Sequence, residues 1–140
     1  MSSHRIYEEK HDIDTDNTKN FYDQRAKNIG NMSSPYVAVL LGDQDPQHAV
    51  DWNTFEKTFI LPQLKVNKSS SVLDIGCGIG RWAESIIPEA GYYLGKGFSG
   101  EMIKIAQQRC SFENADYDFI NVSFQEACRR SSEKLQRKFD

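Results

Sequence analysis

The sequence predicts an α/β domain with a parallel sheet, and three observations carry that prediction. Val72–Ile75, Tyr92–Gly95 and Tyr117–Val122 are short apolar runs of strand length. Helical patterns begin near Arg81 and at Gly100, so strands and helices alternate at the spacing of βαβ units. A glycine-rich turn, Gly76-Cys77-Gly78-Ile79-Gly80, joins the first strand to the first helix. The strand order expected from these units is 3-2-1, with right-handed crossovers.

Along the chain, residues 1–20 hold two histidines, many charges and only Ile6, Tyr7 and Ile13 as sizeable apolar groups. Such a stretch buries too little surface to offset its ordering entropy and is expected to be a flexible tail. Residues 21–71 are expected to form a helical cap. Phe21–Ala26 opens a short helix, and the apolar patch Tyr36–Leu41 ends in the turn chemistry of Gly42–Pro46. His48–Leu64 reads as a helix on the spacing of Val50, Phe55, Phe59 and Ile60, with Pro62 weakening its last turn. Asn67–Ser71 is a loop leading to the sheet region, residues 72–140. Pro88 and Gly91 stop the helix that follows the glycine turn. Ser99 is placed to cap the helix Gly100–Cys110, with Glu101 in its first turn complementing the helix dipole. Phe124–Lys138 reads as a polar helix.

The 140 residues carry 17 Lys and Arg against 20 Asp and Glu, a net charge of −3. That balance argues against a chain held on nucleic acid or an anionic membrane by bulk charge. The basic cluster Arg129, Arg130, Lys134, Arg137 and Lys138 is mixed with Glu126, Glu133 and Asp140 and reads as a solvated helix face. The longest apolar run, Tyr36–Leu41, is six residues. A transmembrane helix needs about 20 and a signal-peptide core about 7–15, so neither is expected. Cys77, Cys110 and Cys128 form no CxxC pair, so neither a metal site nor a disulfide framework is supported. A cytoplasmic protein is the expectation.

Glycines between a strand and a helix let the chain turn sharply and let a ligand approach the main chain, while the helix beyond offers free N–H groups. A tight βα turn without a ligand uses the same residues, but Asp74 at the end of the strand strengthens the ligand reading. A dinucleotide fingerprint would place Gly or Ala at the sixth position, where Arg81 stands. A phosphate-binding P-loop would need Gly-Lys-Ser or Gly-Lys-Thr, which is absent.

The segment Val72-Leu73-Asp74-Ile75-Gly76-Cys77-Gly78-Ile79-Gly80-Arg81-Trp82-Ala83-Glu84 instead resembles the first motif of class I methyltransferases that use S-adenosylmethionine. Tyr92–Gly95 with Phe98–Ile103 is similar to that family's second strand and helix. Phe119–Gln125 is similar to its third strand and adenine-facing turn, and Phe21–Ala26 to the lid of its small-molecule members. The resemblance implies a Rossmann-like parallel sheet with helices on both faces, cut short after its third strand. It also implies methyl transfer to a small-molecule acceptor. Carried over by position, Asp74 would orient the loop and attract the ammonium of the cofactor's methionine part. Gly76, Cys77 and Gly78 would present backbone to the cofactor. Gly97, Phe98 and Ser99 would lie at the ribose end. Ser123, Phe124 and Gln125 would border the adenine, and Tyr22 and Arg25 would close over the cofactor and hold its carboxylate. Cys77 reads as a loop filler, not a nucleophile.

Two departures stand out. The family's second strand usually ends in an acid that grips the ribose hydroxyls, and that position here is Gly97, 17 residues past Gly80 and next to Lys96. Loss of the acid beside a cation also suits a 2′-phosphate, which keeps an NADP-binding oxidoreductase open as a lesser reading. The family's remaining strands, which supply acceptor-facing loops, are not seen, so a non-catalytic interaction module is the main alternative. An apolar first strand left at the sheet edge would favour self-association. His48 and His11 lie in no motif, and no catalytic base is assigned.

Overall fold

The computed structural model describes residues 14–40, 42–123, 126–127 and 137–140. Helix α1 (Thr15–Lys27) starts at Thr15, inside the stretch expected to be a tail. The reason is local. The Asp14 carboxylate accepts from the Asn17 amide at 2.9 Å, Asp16 lies in the first turn, and Arg25 and Lys27 lie in the last, which is the charge order a helix dipole favours. One 3₁₀ turn (Ile29–Asn31) leads to the single-turn helix α2 (Val37–Leu40), formed by the apolar patch.

Helix α3 (Pro46–Leu64) begins two residues earlier than the sequence suggests, because Pro46 sits in the first turn, where its fixed φ suits a helix and its missing N–H is not needed. It also runs through Pro62, contrary to the expected weakening. Pro62 cannot donate to the Thr58 carbonyl, but both residues are exposed and water can take the donor's place. The helix stops where Lys65 adopts a left-handed conformation, φ 51°. Its inward face mixes apolar Ala49 and Leu61 with polar and charged groups. Lys57 reaches Glu84 at 3.0 Å, and Arg81 reaches Glu56 at 2.7 Å and Asn53 at 3.3 Å. Glu84 also pairs with Arg109 and accepts from the Tyr36 hydroxyl at 3.1 Å. Burial, and then the neighbouring Arg81 and Arg109, push the Lys57 ammonium below its ordinary range. Trp52, Phe55 and Phe59 stack along the exposed face.

Strands β1 (Ser71–Ile75), β2 (Tyr92–Gly97) and β3 (Tyr117–Asn121) form one parallel sheet with β2 in the middle, the expected order. Leu73 pairs with Leu94, and Gly95 with Phe119. Strand β2 continues past Gly95 to Gly97, which pairs with Asn121 of β3, and a side chain at Gly95 would place its Cβ 2.7 Å from the Phe119 ring. Glycine at this point serves close packing. Helices α4 (Ala83–Ile86) and α5 (Gly100–Arg109) pack Ala83, Ile86, Ile103 and Ala106 with Tyr93 and Phe119, so both cover one face of the sheet. The polar helix expected over Phe124–Lys138 lies mostly outside the described residues. A second apolar cluster joins Ala26 of α1 and Ala38 of α2 to Ile79 and Met102. At the outer edge of β1 the Asp140 amide donates to the Ser71 carbonyl at 2.9 Å, while Ile75 is 57% exposed. Among the described residues no helix is long and apolar enough to cross a membrane.

Candidate functional site

The glycine turn leaves β1 in a left-handed conformation, with φ of 81° at Gly76, 54° at Gly78 and 77° at Gly80. The amides of Gly76 and Cys77 both donate to the Lys96 carbonyl, at 2.8 and 3.0 Å, which straps the turn to the end of β2. Two of the glycines have different tasks. A Cβ on Gly76 would meet nothing within 4 Å, so its backbone faces open space. A Cβ on Gly80 would press on Cys110 Sγ at 3.0 Å and Ala106 at 3.2 Å, so that glycine lets α5 pack against the turn.

The space beside Gly76 is a cavity of about 290 Å³. Gly76 and Gly78 form its floor, and Gly97, Phe98 and Ser99 supply the wall from the end of β2. Met102 of α5, Tyr22 of α1 and Val39 of α2 close it. The Tyr22 and Phe98 rings meet edge to face at 6.3 Å. Ser99 caps α5 as expected, its hydroxyl accepting from the Met102 amide at 3.2 Å. Backbone glycines on one side and aromatic rings on the other suit a flat, partly polar ligand that needs close main-chain contact.

Tyr22, Gly76, Gly78, Gly97, Phe98 and Ser99 are thus brought together from positions far apart in sequence. Other candidates are placed differently. Arg25 donates to the Val37 and Ala38 carbonyls at 2.5 and 2.9 Å and pairs with Asp43 at 2.9 Å, which ties α1 to α2. Asp74 accepts from the Tyr93 hydroxyl at 2.6 Å. Burial raises its carboxyl above the usual range, with Tyr93 and Arg81 opposing the shift. Cys77 is buried, and burial together with Asp74 pushes its thiol up to about 12, which removes it as a nucleophile. Ser123 forms a reciprocal cap with Glu126: its hydroxyl accepts from the Glu126 amide at 3.1 Å and its own amide donates to Glu126 Oε2 at 3.3 Å. Phe124, Gln125 and His11 lie outside the described residues, and His48 stacks on Trp52. Val39 and Met102 were not foreseen as cavity residues. Both sit in apolar stretches whose inward face the sequence shows without showing what it faces.

Residues 72–140 match the family model described as a methyltransferase domain. Residues 72–140 are thus a methyltransferase domain by that match. No curated protein matches the chain in sequence. Among solved structures, this chain is similar to phosphoethanolamine N-methyltransferase 1 of Haemonchus contortus, solved with phosphoethanolamine and S-adenosylhomocysteine. The identity is 26% and the TM-score 0.58, over 74% of this chain and 21% of that one. Magnesium protoporphyrin IX methyltransferase of Synechocystis PCC 6803, solved with bound S-adenosylmethionine, shares the fold at 15% identity and a TM-score of 0.55, over 81% of this chain and 56% of that one. The chain therefore spans about a fifth and just over half of the length of these two proteins.

Proposed function

We propose that the cavity is the S-adenosylmethionine site of a methyltransferase that acts on a small-molecule acceptor. The observation that carries this reading is the Gly76 backbone, strapped to the end of β2 and open to a cavity that Tyr22 and Phe98 close with aromatic rings. The family match supports methyl transfer, and the likeness to a phosphoethanolamine N-methyltransferase supports the acceptor class. When bound, the cofactor supplies an electrophilic methyl group on a sulfonium. The chain's own residues hold and shield it. Gly76 and Gly78 offer main-chain contact, Phe98 offers an apolar wall, and Tyr22 and Val39 exclude water from above. Positioning of this kind contributes up to about 7–11 kcal/mol of barrier lowering in favourable reactions, and no protein nucleophile is needed.

In this reading α1–α3 act as a lid over the half that carries the sheet. The buried free thiols of Cys77 and Cys110 support a reducing, cytoplasmic setting. The exposed end of β1 supports self-association along that edge. Calorimetric titration with S-adenosylhomocysteine and, separately, NADP tests the reading. Binding of the first alone is expected. Binding of NADP alone would make the chain an oxidoreductase domain, and binding of neither would make it an interaction module.

A further inference from the structure

Helix α1 brings one carboxylate to the rim of the cavity, and neither the family match nor the sequence pattern gives it a part. Asp23 Oδ1 accepts from the Ser99 hydroxyl at 2.5 Å, and Oδ2 accepts from Lys19 Nζ at 2.6 Å. The Ser99 hydroxyl accepts in turn from the Met102 amide. A continuous hydrogen-bonded path therefore runs from α1 through one hydroxyl into the first turn of α5. The first amides of a helix have no intrahelical partner and carry its positive end, so a carboxylate beside them is stabilised. The Asp23 side chain is only 13% exposed, which strengthens its pairing relative to a surface contact. Burial opposes its ionisation, but the bonds from Lys19 and Ser99 outweigh that and hold the carboxyl below the usual range.

The two ends of this tie matter for the cavity. Ser99 and Met102 line it on the α5 side, and Tyr22, the residue before Asp23, closes it from above. Arg25 binds the backbone of α2, so α1 and α2 are held to each other by a separate set of bonds. Asp23 is the polar link from that pair to α5, beside the apolar packing of Ala26 and Ala38 with Met102.

We propose that Asp23 is a positioning residue for the cofactor site. It latches α1 onto the N-terminal end of α5 and so holds Tyr22 across the cavity without itself lining it. This rests on the reading that the cavity takes S-adenosylmethionine, but the latch can be tested apart from it. If only a tenth of the molecules keep the lid closed, apparent affinity falls about tenfold.

The experiment is hydrogen exchange of the full chain without ligand, paired with calorimetric titration of S-adenosylhomocysteine, on wild type, Asp23→Asn and Asp23→Ala. For Asp23→Ala the amides of α1 should exchange about tenfold faster while those of β2 stay protected, which confirms that the domain is folded, and affinity should fall about tenfold. Asp23→Asn, which keeps an acceptor for Ser99, should fall between. Adding Ser99→Ala to Asp23→Ala should loosen α1 no further, because both changes cut the same tie. Unchanged α1 exchange in Asp23→Ala overturns the latch, and so does faster exchange with unchanged affinity. A wild type that does not bind S-adenosylhomocysteine overturns the cofactor reading instead, while the exchange rates still decide the latch.

Discussion

Replacing Gly97 with aspartate asks whether the end of β2 faces a ribose. The family resemblance places an acid here, and this chain has none. The structure makes the substitution sterically feasible. Gly97 lies outside the left-handed region, unlike Gly76, Gly78 and Gly80. A Cβ at Gly97 would meet Ile103 Cδ1 at 3.3 Å, the far end of a side chain that can give by a few tenths of an ångström. Against that small cost stand two hydrogen bonds from ribose hydroxyls to a carboxylate. Each contributes about 1.5–3 kcal/mol when well made. Partial exposure and the like charge of Asp23, bonded to Ser99 two residues on, reduce the pair to a net gain of roughly 1.5–3 kcal/mol. That corresponds to about 10- to 100-fold tighter binding of S-adenosylhomocysteine, read by calorimetry on both proteins in the same buffer. Equal or weaker binding by a folded Gly97→Asp protein would refute the placement of a ribose at this wall. The same change should weaken any ligand with a 2′-phosphate, so its sign also separates the two cofactor classes.

Gly76→Ala and Gly80→Ala should part company in thermal or urea unfolding. Both incur about 1–2 kcal/mol of left-handed strain, but Gly80→Ala adds about 1–3 kcal/mol of overpacking against Cys110 and Ala106, whereas Gly76→Ala should show its larger effect as lost cofactor binding. Asp74 should leave a signature in the pH dependence of stability. Its pKa is raised on folding, so the folded state holds the proton more tightly and the group's contribution, full below about 3.8, is lost as pH rises through the raised value. Urea midpoints of Asp74→Asn, which keeps an acceptor for Tyr93, should lack that decline, and an unchanged slope would contradict the assignment.

Much of the fold was legible because local signals and tertiary packing agree. The β1–turn–α4 unit follows from an apolar run meeting three glycines, and the cap of α5 follows from Ser99. Where the reading strayed, residue type and location disagreed. The second strand, expected to end at Gly95, runs on to Gly97, and Gly95 leaves the space that the Phe119 ring fills. The spacing of Val50, Phe55, Phe59 and Ile60 marks α3 as a helix without showing which face packs: Phe55 and Phe59 are exposed, and Asn53, Glu56 and Lys57 meet Arg81 and Glu84. The cavity was legible in part. The glycine turn and the Phe98-Ser99 segment are contiguous motifs, whereas Val39 and Met102 join them only through the packing of α2 and α5. The tie between Asp23 and Ser99 spans 76 positions and has no sequence signal at all.

The claim that this cavity holds the adenosyl cofactor is tested most directly by amide chemical shifts during titration of the isotopically labelled chain with S-adenosylhomocysteine. Saturable shifts should concentrate at Gly76, Gly78, Gly97, Phe98 and Ser99, with Tyr22 following as the lid closes, while the exposed face of α3 around Phe55 and Phe59 stays unmoved. Shifts that spare the glycine turn, or no shifts at all, would contradict it.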